Sequence, residues 1–389
     1  MAIVSIIGAQ KITLISDLSF PWVRLSLGQY NATSLIQSAS LFGVDGVDMI
    51  ILAVNALLTI CIVSPPMKKR IFAVLCATVI FVANLGFGIA RINTATHKGE
   101  LTIMTVQASV ENDKKWSGNG DTICYAAYSA LTKDNFTADV DIVLWPESAV
   151  PTVYRSYNSL SQYKKLSAEL DAPILAGILL KSNGQYTNNA TLITKDGVAA
   201  NYSKRHLVPF GEYVPYEQTI SKIFPFLSDI NVLSDDYIAG DSSEIMTINE
   251  GKVGNIICFE SIYPELSRRS VLDGAEILIE TTNDSWLKDS PAMTQHLAHG
   301  VFRSVENGRY LVRSANSGIS ATIDSRGRII KTLDIDQKGV ITDTVYFCDE
   351  TTLYTKTGDI LFPVCVTILC ILFTILLIKK LINKNNAES

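Results

Sequence analysis

The sequence predicts an α/β domain with mixed sheets, flanked on both sides by transmembrane helices. The chain has 389 residues, 48% of them hydrophobic, and its mean hydropathy of +0.23 is high for a soluble globular protein. Apolar runs of membrane-span length lie near both ends of the chain. Between them, short apolar runs alternate with stretches of helical spacing, and the connections include both hairpins and crossovers.

The predicted membrane spans are residues 41–63, 71–90 and 360–378. Asp45 and Asp48 lie near the start of the first span, so we expect that end at the level of the lipid headgroups. The basic loop Lys68-Lys69-Arg70 and the lysines after residue 378 should remain cytoplasmic. The block between the spans is then predicted to lie on the opposite face of the membrane, which in a bacterium is the periplasm or the outer surface.

The N-terminal segment gives weaker signals. Residues 1–20 are moderately apolar, but Gln10, Lys11 and Asp17 interrupt them, and the pattern of a signal peptide is absent. Residues 20–22 are interpreted as aromatic anchors at a membrane interface or as an ordinary turn. The predicted organisation is an N-terminal segment with a periplasmic loop, membrane helices, an α/β domain and a final membrane helix, over residues 1–40, 41–90, 95–355 and 360–378.

Within the α/β block, the apolar runs predict strands over residues 101–108, 140–145, 173–180, 190–194, 199–202, 253–258, 277–280, 309–314 and 320–324. Helical spacing predicts helices over residues 113–131, 162–170, 266–273 and 294–307. Pro146 ends the second strand, and Asp196-Gly197 is a hairpin signal between two others. Gly274 ends the third helix.

Charge and cysteine spacing exclude several function classes. The formal net charge is -5 and no basic block exceeds a few residues, so nucleic-acid binding is not predicted. The seven cysteines form no CxxC pair and no Cys/His cluster. We therefore expect neither a zinc site nor a disulfide framework, and no cofactor.

Cys258 ends the apolar run Val253-Gly254-Asn255-Ile256-Ile257 and is followed at once by Phe259 and Glu260. A cysteine in an apolar run is most often a structural core residue. The abrupt end of the strand and the following helix start at Pro264 favour a different interpretation. A strand-to-helix elbow presents a nucleophile and aims backbone N–H groups at its substrate. Cysteine suits acyl transfer, because water or an amine can attack the thioester that it forms.

Two other polar positions are candidates for the same site. Glu147 follows the buried-type strand that Pro146 ends, where a carboxylate can act as a general base. Lys204 begins a stretch broken by proline and glycine that is too apolar for a solvated loop, and Glu212 lies within it. The lysine can stabilise an oxyanion, and the second carboxylate can orient it. The alternatives are a plain loop glutamate and a surface salt bridge.

The histidines are weaker candidates. His206 is a possible general base. His296 and His299 are three residues apart on one predicted helix, which is a metal-ligand spacing, but no other ligand cluster lies near them in the sequence. We therefore interpret both as hydrogen-bonded structural histidines, and no metal is predicted.

Several motifs together resemble the nitrilase (carbon–nitrogen hydrolase) superfamily, and within it the apolipoprotein N-acyltransferases of the bacterial inner membrane. They are Trp145-Pro146-Glu147-Ser148, residues 204–215, Cys258-Phe259-Glu260, and residues 282–286 followed by Gln295-His296. The resemblance extends from about residue 21 to residue 333. It implies an α-β-β-α sandwich and a Glu–Lys–Cys triad of Glu147, Lys204 and Cys258, supported by Glu212. It also implies that Trp116, Phe259 and Glu260 line the substrate site.

The reaction that the resemblance implies has two steps. Cys258, with Glu147 as its base, attacks the ester of a phospholipid acyl donor, while Lys204 and the N–H after Cys258 stabilise the oxyanion. The N-terminal amine of an apolipoprotein then attacks the thioester. The chain departs from the family pattern at Phe259, where tyrosine is common, and full-length members have about five more membrane helices.

Two alternatives therefore remain open at the sequence level. One is a membrane-anchored amidase or acyl-transfer enzyme of the same superfamily with another substrate, such as the proteins associated with conjugal plasmid transfer. The other is a non-enzymatic scaffold on a nitrilase fold. Three polar residues at a dry site argue against the scaffold.

Overall fold

A computed structural model describes residues 19–63, 66–94, 97–154, 160–182, 185–216, 237–288 and 290–388. Its α-helices, numbered in chain order, are α1 Thr33–Ile36, α2 Ala39–Val63, α3 Met67–Ile92, α4 Asn112–Lys115, α5 Gly120–Asn135, α6 Ser161–Leu170, α7 Pro264–Leu272, α8 Ala292–Asn307, α9 Leu353–Thr357 and α10 Leu361–Glu388. Its strands are β1 Glu100–Gln107, β2 Ile142–Leu144, β3 Val150–Tyr154, β4 Ile174–Ser182, β5 Gln185–Thr194, β6 Gly197–Ser203, β7 Met246–Ile248, β8 Gly251–Ile257, β9 Ile277–Thr282, β10 Tyr310–Ala315, β11 Ser320–Ile323, β12 Ile329–Leu333 and β13 Gly339–Tyr346. The predictions made for residues 1–18 lie outside the described residues.

The strands form two mixed sheets, as predicted. The first has seven strands in the order β13-β1-β2-β4-β5-β6, with β3 paired to β4, and the second has six in the order β12-β11-β10-β9-β8-β7. The central pairs of each sheet are parallel, and the outer pairs are antiparallel. Parallel neighbours bring their carboxyl ends to one edge, which is where ligand sites of such sheets lie.

The two sheets pack face to face. Apolar residues from both fill one core, among them Ile103 and Leu144 of the first sheet and Ile257 and Ile279 of the second. Helices α5 and α6 cover the outer face of the first sheet, and α7 and α8 cover that of the second. The layers therefore follow the predicted α-β-β-α order, with the strand ends meeting between the sheets.

One predicted element is wrong. The helix expected over residues 113–131 is split into α4 and α5. Ser117-Gly118-Asn119 separates them, and these residue types are poor helix formers. A Cβ at Gly120 would lie 1.8 Å from the carbonyl oxygen of Lys115, so this close return of the chain requires glycine. The break leaves Trp116 projecting from the domain, 52% exposed.

The strands β3, β7, β12 and β13 were not predicted. β13 pairs with β1 from Glu100 opposite Tyr346 to Gln107 opposite Gly339, across more than half of the chain. Strand pairing is decided by neighbours that are distant in sequence, so a short or half-exposed strand has little local signal.

Helices α2 and α3 are long and apolar enough to cross a membrane. They pack against each other and expose many large apolar side chains, including Ile62, Phe72 and Val79. Helix α10 carries a shorter apolar stretch, Leu361–Leu376. Helices α2 and α3 coincide with two of the predicted spans, and the span over residues 360–378 stays a prediction.

The N-terminal segment connects the apolar helix α2 to the α/β domain. Asp45 is paired with the guanidinium of Arg24, and Asp48 accepts a hydrogen bond from the Ser26 N–H at 2.7 Å. Both carboxylates are buried. On the same side, the Trp22 indole donates to the side chain of Gln295 in α8 at 2.7 Å. The acidic start of α2 is therefore anchored by the segment before it.

Glu306 forms a second link between α8 and α2. Its fully buried carboxylate accepts from the Val44 N–H at 2.8 Å and from Arg303 at 3.0 Å. Burial raises the pKa of Glu306 from its ordinary 4.5 to about 7, against the opposing effect of Arg303. Folding therefore takes up a proton between these pH values, which makes the folded chain less stable as the pH rises through that window.

We expect Glu306→Gln to remove this pH dependence. The wild-type chain should lose roughly 3 kcal/mol of unfolding free energy between pH 4.5 and 7 from this group, and the neutral amide should lose none of it. Thermal unfolding in detergent at pH 5 and pH 8 measures the difference. Glu111→Gln, at an exposed carboxylate, is the matched control and should follow the wild type. The same pH slope in Glu306→Gln and the wild type would contradict the assignment.

Candidate active site

The three predicted catalytic residues lie where strands of the two sheets end. Glu147 follows β2, Lys204 follows β6 of the same sheet, and Cys258 follows β8 of the facing sheet. They line one cavity of about 320 Å³, as do Trp116 and Glu212. Its other lining residues are Ser148, Leu179, Asn188, Val208, Gly211, Tyr237, Asn283 and Trp286.

Glu147 is 6% exposed, and its carboxylate is held by three donors. Oε1 accepts from Asn188 Nδ2 at 2.7 Å and lies 3.4 Å from Lys204 Nζ, while Oε2 accepts from the Asn283 N–H at 2.9 Å. A Cβ at Gly177 of the neighbouring β4 would lie 2.5 Å from the Glu147 Cα, so glycine lets the loop sit directly on the sheet. The carboxylate is therefore fixed in one position.

Lys204 is 1% exposed and lies between two carboxylates. Its Nζ is 2.8 Å from Glu212 Oε1 and 3.4 Å from Glu147 Oε1. Burial disfavours the ammonium, but Glu212 and Glu147 outweigh that effect and raise the pKa of Lys204 above its ordinary value. The side chain is therefore a permanent cation at the cavity wall.

The stretch after Lys204 has a fixed irregular shape. Glu212 Oε2 accepts from the Val208 N–H at 2.8 Å, and the Phe210 N–H donates to the Tyr213 carbonyl, with Phe210 at a positive φ of 60°. Asn188, which reaches both Glu147 and Glu212, was not predicted. It lies in β5 beside other polar residues, among them Thr187 and Asn189, so the sequence does not single it out.

Cys258 lies at the turn between β8 and a short 3₁₀ helix, Cys258–Ile262. Its φ of 51° is uncommon for a residue other than glycine, and the side chain is 3% exposed. Burial and the Glu147 carboxylate raise the pKa of the Cys258 thiol well above its ordinary value, although Lys204 and a hydrogen bond with Thr282 act against them. The resting group is therefore a thiol, which needs a base before it can attack.

Phe259 and Glu260 lie directly behind the cavity, and both are fully buried. Glu260 accepts from the N–H groups of Ile257 and Arg205 at 2.7 and 2.6 Å, and from the Tyr202 hydroxyl at 2.7 Å. This one carboxylate joins the end of β6 to the end of β8. Its observed contacts hold Lys204 and Cys258 in position; the predicted contact with substrate stays a prediction.

The histidines lie outside the cavity lining. The His206 ring packs on Tyr263 with centroids 3.8 Å apart, and His299 Nε2 is 3.0 Å from the Trp22 carbonyl. His296 lies with Asp284 and Cys258, so that one set of potential metal ligands exists among the described residues. Both ring nitrogens of His296 already face hydrogen-bond partners. The geometry supports the interpretation as a hydrogen-bonding histidine.

Two family models match the sequence. One, described as carbon-nitrogen hydrolase, matches residues 103–349, and one described as apolipoprotein N-acyltransferase N-terminal domain matches residues 2–57. Among solved structures, a CN-hydrolase superfamily protein from Xanthomonas campestris superposes with a TM-score of 0.49 and 18% identity, covering 69% of this chain and 97% of that one.

Curated apolipoprotein N-acyltransferases are similar over most of the chain. That of Geobacter metallireducens is 32% identical, covering 89% of this chain and 68% of that protein. Those of Allorhizobium ampelinum and Photobacterium profundum are 30% and 28% identical, covering 82% and 87% of this chain and 62% and 66% of those proteins. The chain thus spans about two thirds of their length. These matches confirm the resemblance seen in the motifs: the chain belongs to the carbon–nitrogen hydrolase family and, within it, to the apolipoprotein N-acyltransferases.

Proposed function

We propose that the chain is a membrane-bound N-acyltransferase. It moves an acyl chain from a phospholipid, through a thioester on Cys258, to the N-terminal amine of an apolipoprotein. The observation that carries the proposal is the shared cavity of Glu147, Lys204 and Cys258 in a chain of this family. A buried thiol, a buried cation and a buried carboxylate at one cavity are what acyl transfer through cysteine requires.

The first half-reaction forms the thioester. Glu147 takes the thiol proton, and Cys258 Sγ attacks the ester carbonyl of the donor. The Lys204 ammonium and the Phe259 N–H stabilise the negative charge that develops on the carbonyl oxygen. When the intermediate collapses, the C–O bond breaks and Glu147 returns the proton to the departing alcohol. Lysophospholipid leaves, and the acyl chain remains on sulfur.

The second half-reaction uses the same groups, but the amine is now the nucleophile and Cys258 Sγ is the leaving group. The amine of the acceptor attacks the thioester carbonyl, and Glu147 takes a proton from the nitrogen. The same cation and N–H stabilise the second oxyanion. The C–S bond then breaks and the proton returns to sulfur. An amide is the product, and Cys258 is again a thiol.

The cavity also has features suited to lipid. Trp116 and Trp286 line it and are 52% and 49% exposed, so that each offers an apolar surface at the entrance. We assign the acyl chain to this pair. Phe259 and Glu260 support the reacting groups from behind.

The membrane arrangement is part of the proposal. Apolar helices precede and follow the catalytic domain, and the predicted basic loop Lys68-Lys69-Arg70 lies in the first turn of α3, directly after the connection from α2. The positive-inside rule then assigns this loop to the cytoplasm and the catalytic domain to the periplasmic face of a multi-pass inner-membrane protein. The cavity would face the outer leaflet, where a phospholipid donor is available. The alternative of an amidase with another substrate is not favoured, because the curated relatives are named N-acyltransferases.

Replacement of Cys258 tests the proposed reaction. The wild-type chain should become labelled by a phospholipid with a fluorescent acyl chain and should restore triacylated lipoprotein N-termini in a strain depleted of its own enzyme, as measured by mass spectrometry. Cys258→Ala should abolish both, because no thioester can form. Cys124→Ala, at a buried cysteine outside the cavity, should keep both. Lipoproteins that stay diacylated beside a folded wild-type chain would refute the function.

Replacement of Glu147 and replacement of Lys204 should change the pKa of the Cys258 thiol in opposite directions. Glu147→Gln removes a negative charge and lowers the pKa of Cys258, so alkylation by iodoacetamide at pH 7 should be at least as fast as in the wild type. Acylation should fall by ~10²–10⁴-fold, because the base is lost. Lys204→Met removes the cation, raises that pKa further and should slow both reactions. Glu250→Gln, at an exposed carboxylate, is the control. Equal slowing of alkylation in the Glu147 and Lys204 variants would argue against these roles.

Cysteine labelling tests the orientation. Lys69→Cys and Lys331→Cys place exposed thiols in the predicted cytoplasmic loop and on the catalytic domain, respectively. The background has its other accessible cysteines replaced by alanine. A membrane-impermeant maleimide should label Lys331→Cys in spheroplasts and Lys69→Cys only after permeabilisation. The reverse pattern would show that the catalytic domain is cytoplasmic.

A further inference from the structure

A buried polar network lies directly behind the nucleophile. His296 Nε2 is 3.1 Å from the carbonyl oxygen of Cys258, and His296 Nδ1 is 2.8 Å from Asp284 Oδ1. The guanidinium of Arg313 bonds to Asp284 Oδ2 at 2.5 Å and to Glu280. All four of these network side chains are fully buried, and none lines the cavity. The proposed reaction assigns them no role.

The hydrogen bond to Cys258 holds in both charge states of His296. As an imidazolium, the ring donates from Nδ1 to Asp284 and from Nε2 to the Cys258 carbonyl. As a neutral ring, Nδ1 can instead accept from Arg313 Nη2, which is 3.0 Å away, and the proton stays on Nε2. A carbonyl oxygen can only accept, so Nε2 must be the donor to Cys258 in either state.

This bond fixes one peptide plane. The Cys258 C=O and the Phe259 N–H belong to the same planar trans peptide, so they point in opposite directions. The carbonyl is directed to His296, away from the cavity, and the N–H is therefore directed to the cavity side. The positive φ of Cys258 is a backbone conformation that persists only where surrounding contacts hold it.

We propose that His296 is the positioning residue of the oxyanion site: its Nε2–H holds the Cys258 carbonyl and so aims the Phe259 N–H at the developing oxyanion. Without this donor, the peptide is free to rotate and to present its carbonyl oxygen to the negative charge that it should stabilise. Asp284 and Arg313 hold the His296 ring in this orientation through their contacts with Nδ1. The inference rests on the proposed acyl transfer through Cys258 and adds a group that touches neither substrate nor sulfur.

Two substitutions of His296 distinguish the roles of its two ring nitrogens. The amide nitrogen of asparagine falls near the position of Nδ1 and that of glutamine near the position of Nε2. His296→Asn thus keeps the contact with Asp284 and loses the donor to Cys258, whereas His296→Gln can keep that donor. Both variants are neutral and polar, and their melting temperatures show whether they fold. His299→Asn and His299→Gln are matched controls one turn further along α8, where the partner is the Trp22 carbonyl.

Two reactions of Cys258 give the readout. The burst of p-nitrophenol from a simple p-nitrophenyl ester measures acylation, which passes through an oxyanion. Alkylation by iodoacetamide measures the reactivity of the same thiol without an oxyanion. We expect His296→Asn to lower the acylation rate by ~10²–10³-fold with KM unchanged and alkylation within about threefold of the wild type. His296→Gln should retain acylation within about tenfold, and the His299 variants should keep the wild-type ratio of the two rates.

Three results would overturn the inference. They are undiminished acylation in His296→Asn, loss of alkylation in proportion to acylation, and equal loss of acylation in the asparagine and glutamine variants. A parallel reaction with phospholipid separates this test from the proposed function. If the ester acylates the wild-type chain and phospholipid does not, the proposed donor is wrong, while the ratio of acylation to alkylation still decides the role of His296.

Discussion

The buried ammonium of Lys204 is the constraint around which the site is arranged. A cation that is 1% exposed needs paired carboxylates, because removing a charge from water costs several kcal/mol. Glu147 and Glu212 supply them from opposite sides, and each is held in turn by backbone N–H groups. Glu147 belongs to the loop after β2 and Glu212 to the irregular stretch after β6. Satisfying one charge therefore fixes two loops of the first sheet against each other.

The second sheet brings the nucleophile to this cluster. Because the two sheets share one core, the ends of β6 and β8 lie close together although more than fifty residues separate Lys204 from Cys258. The Cys258 thiol is buried beside the Glu147 carboxylate, and both conditions keep it protonated at rest. In the proposed reaction, attack by the thiol requires transfer of its proton, and the Lys204 cation stabilises the negative charge that develops on the substrate oxygen.

Much of this arrangement could be predicted from the sequence. The end of an apolar run at Pro146 and at Cys258 located two of the proposed catalytic residues, and the proline- and glycine-broken stretch located the third. These signals are local, since strand ends and rigid turns are encoded by adjacent residue types. Asn188 and the contacts of His296 could not be predicted, because each depends on a partner from another strand or helix. The split between α4 and α5 had a local signal in Ser117-Gly118-Asn119, whereas the backbone approach that requires Gly120 appears only in the folded chain.

The contacts of Glu260 separate the spacing of the proposed triad from the surface that could set acyl-chain preference. One carboxylate sets the separation of Lys204 and Cys258 from behind, through Tyr202 and backbone N–H groups alone. The exposed tryptophans at the front take no part in that bracing. The contacts that space the proposed reacting atoms are thus separate from the tryptophan surface to which we assign the acyl chain. Substitution of the exposed tryptophans could therefore change the preferred length of the acyl chain, while the spacing of the proposed triad stays the same.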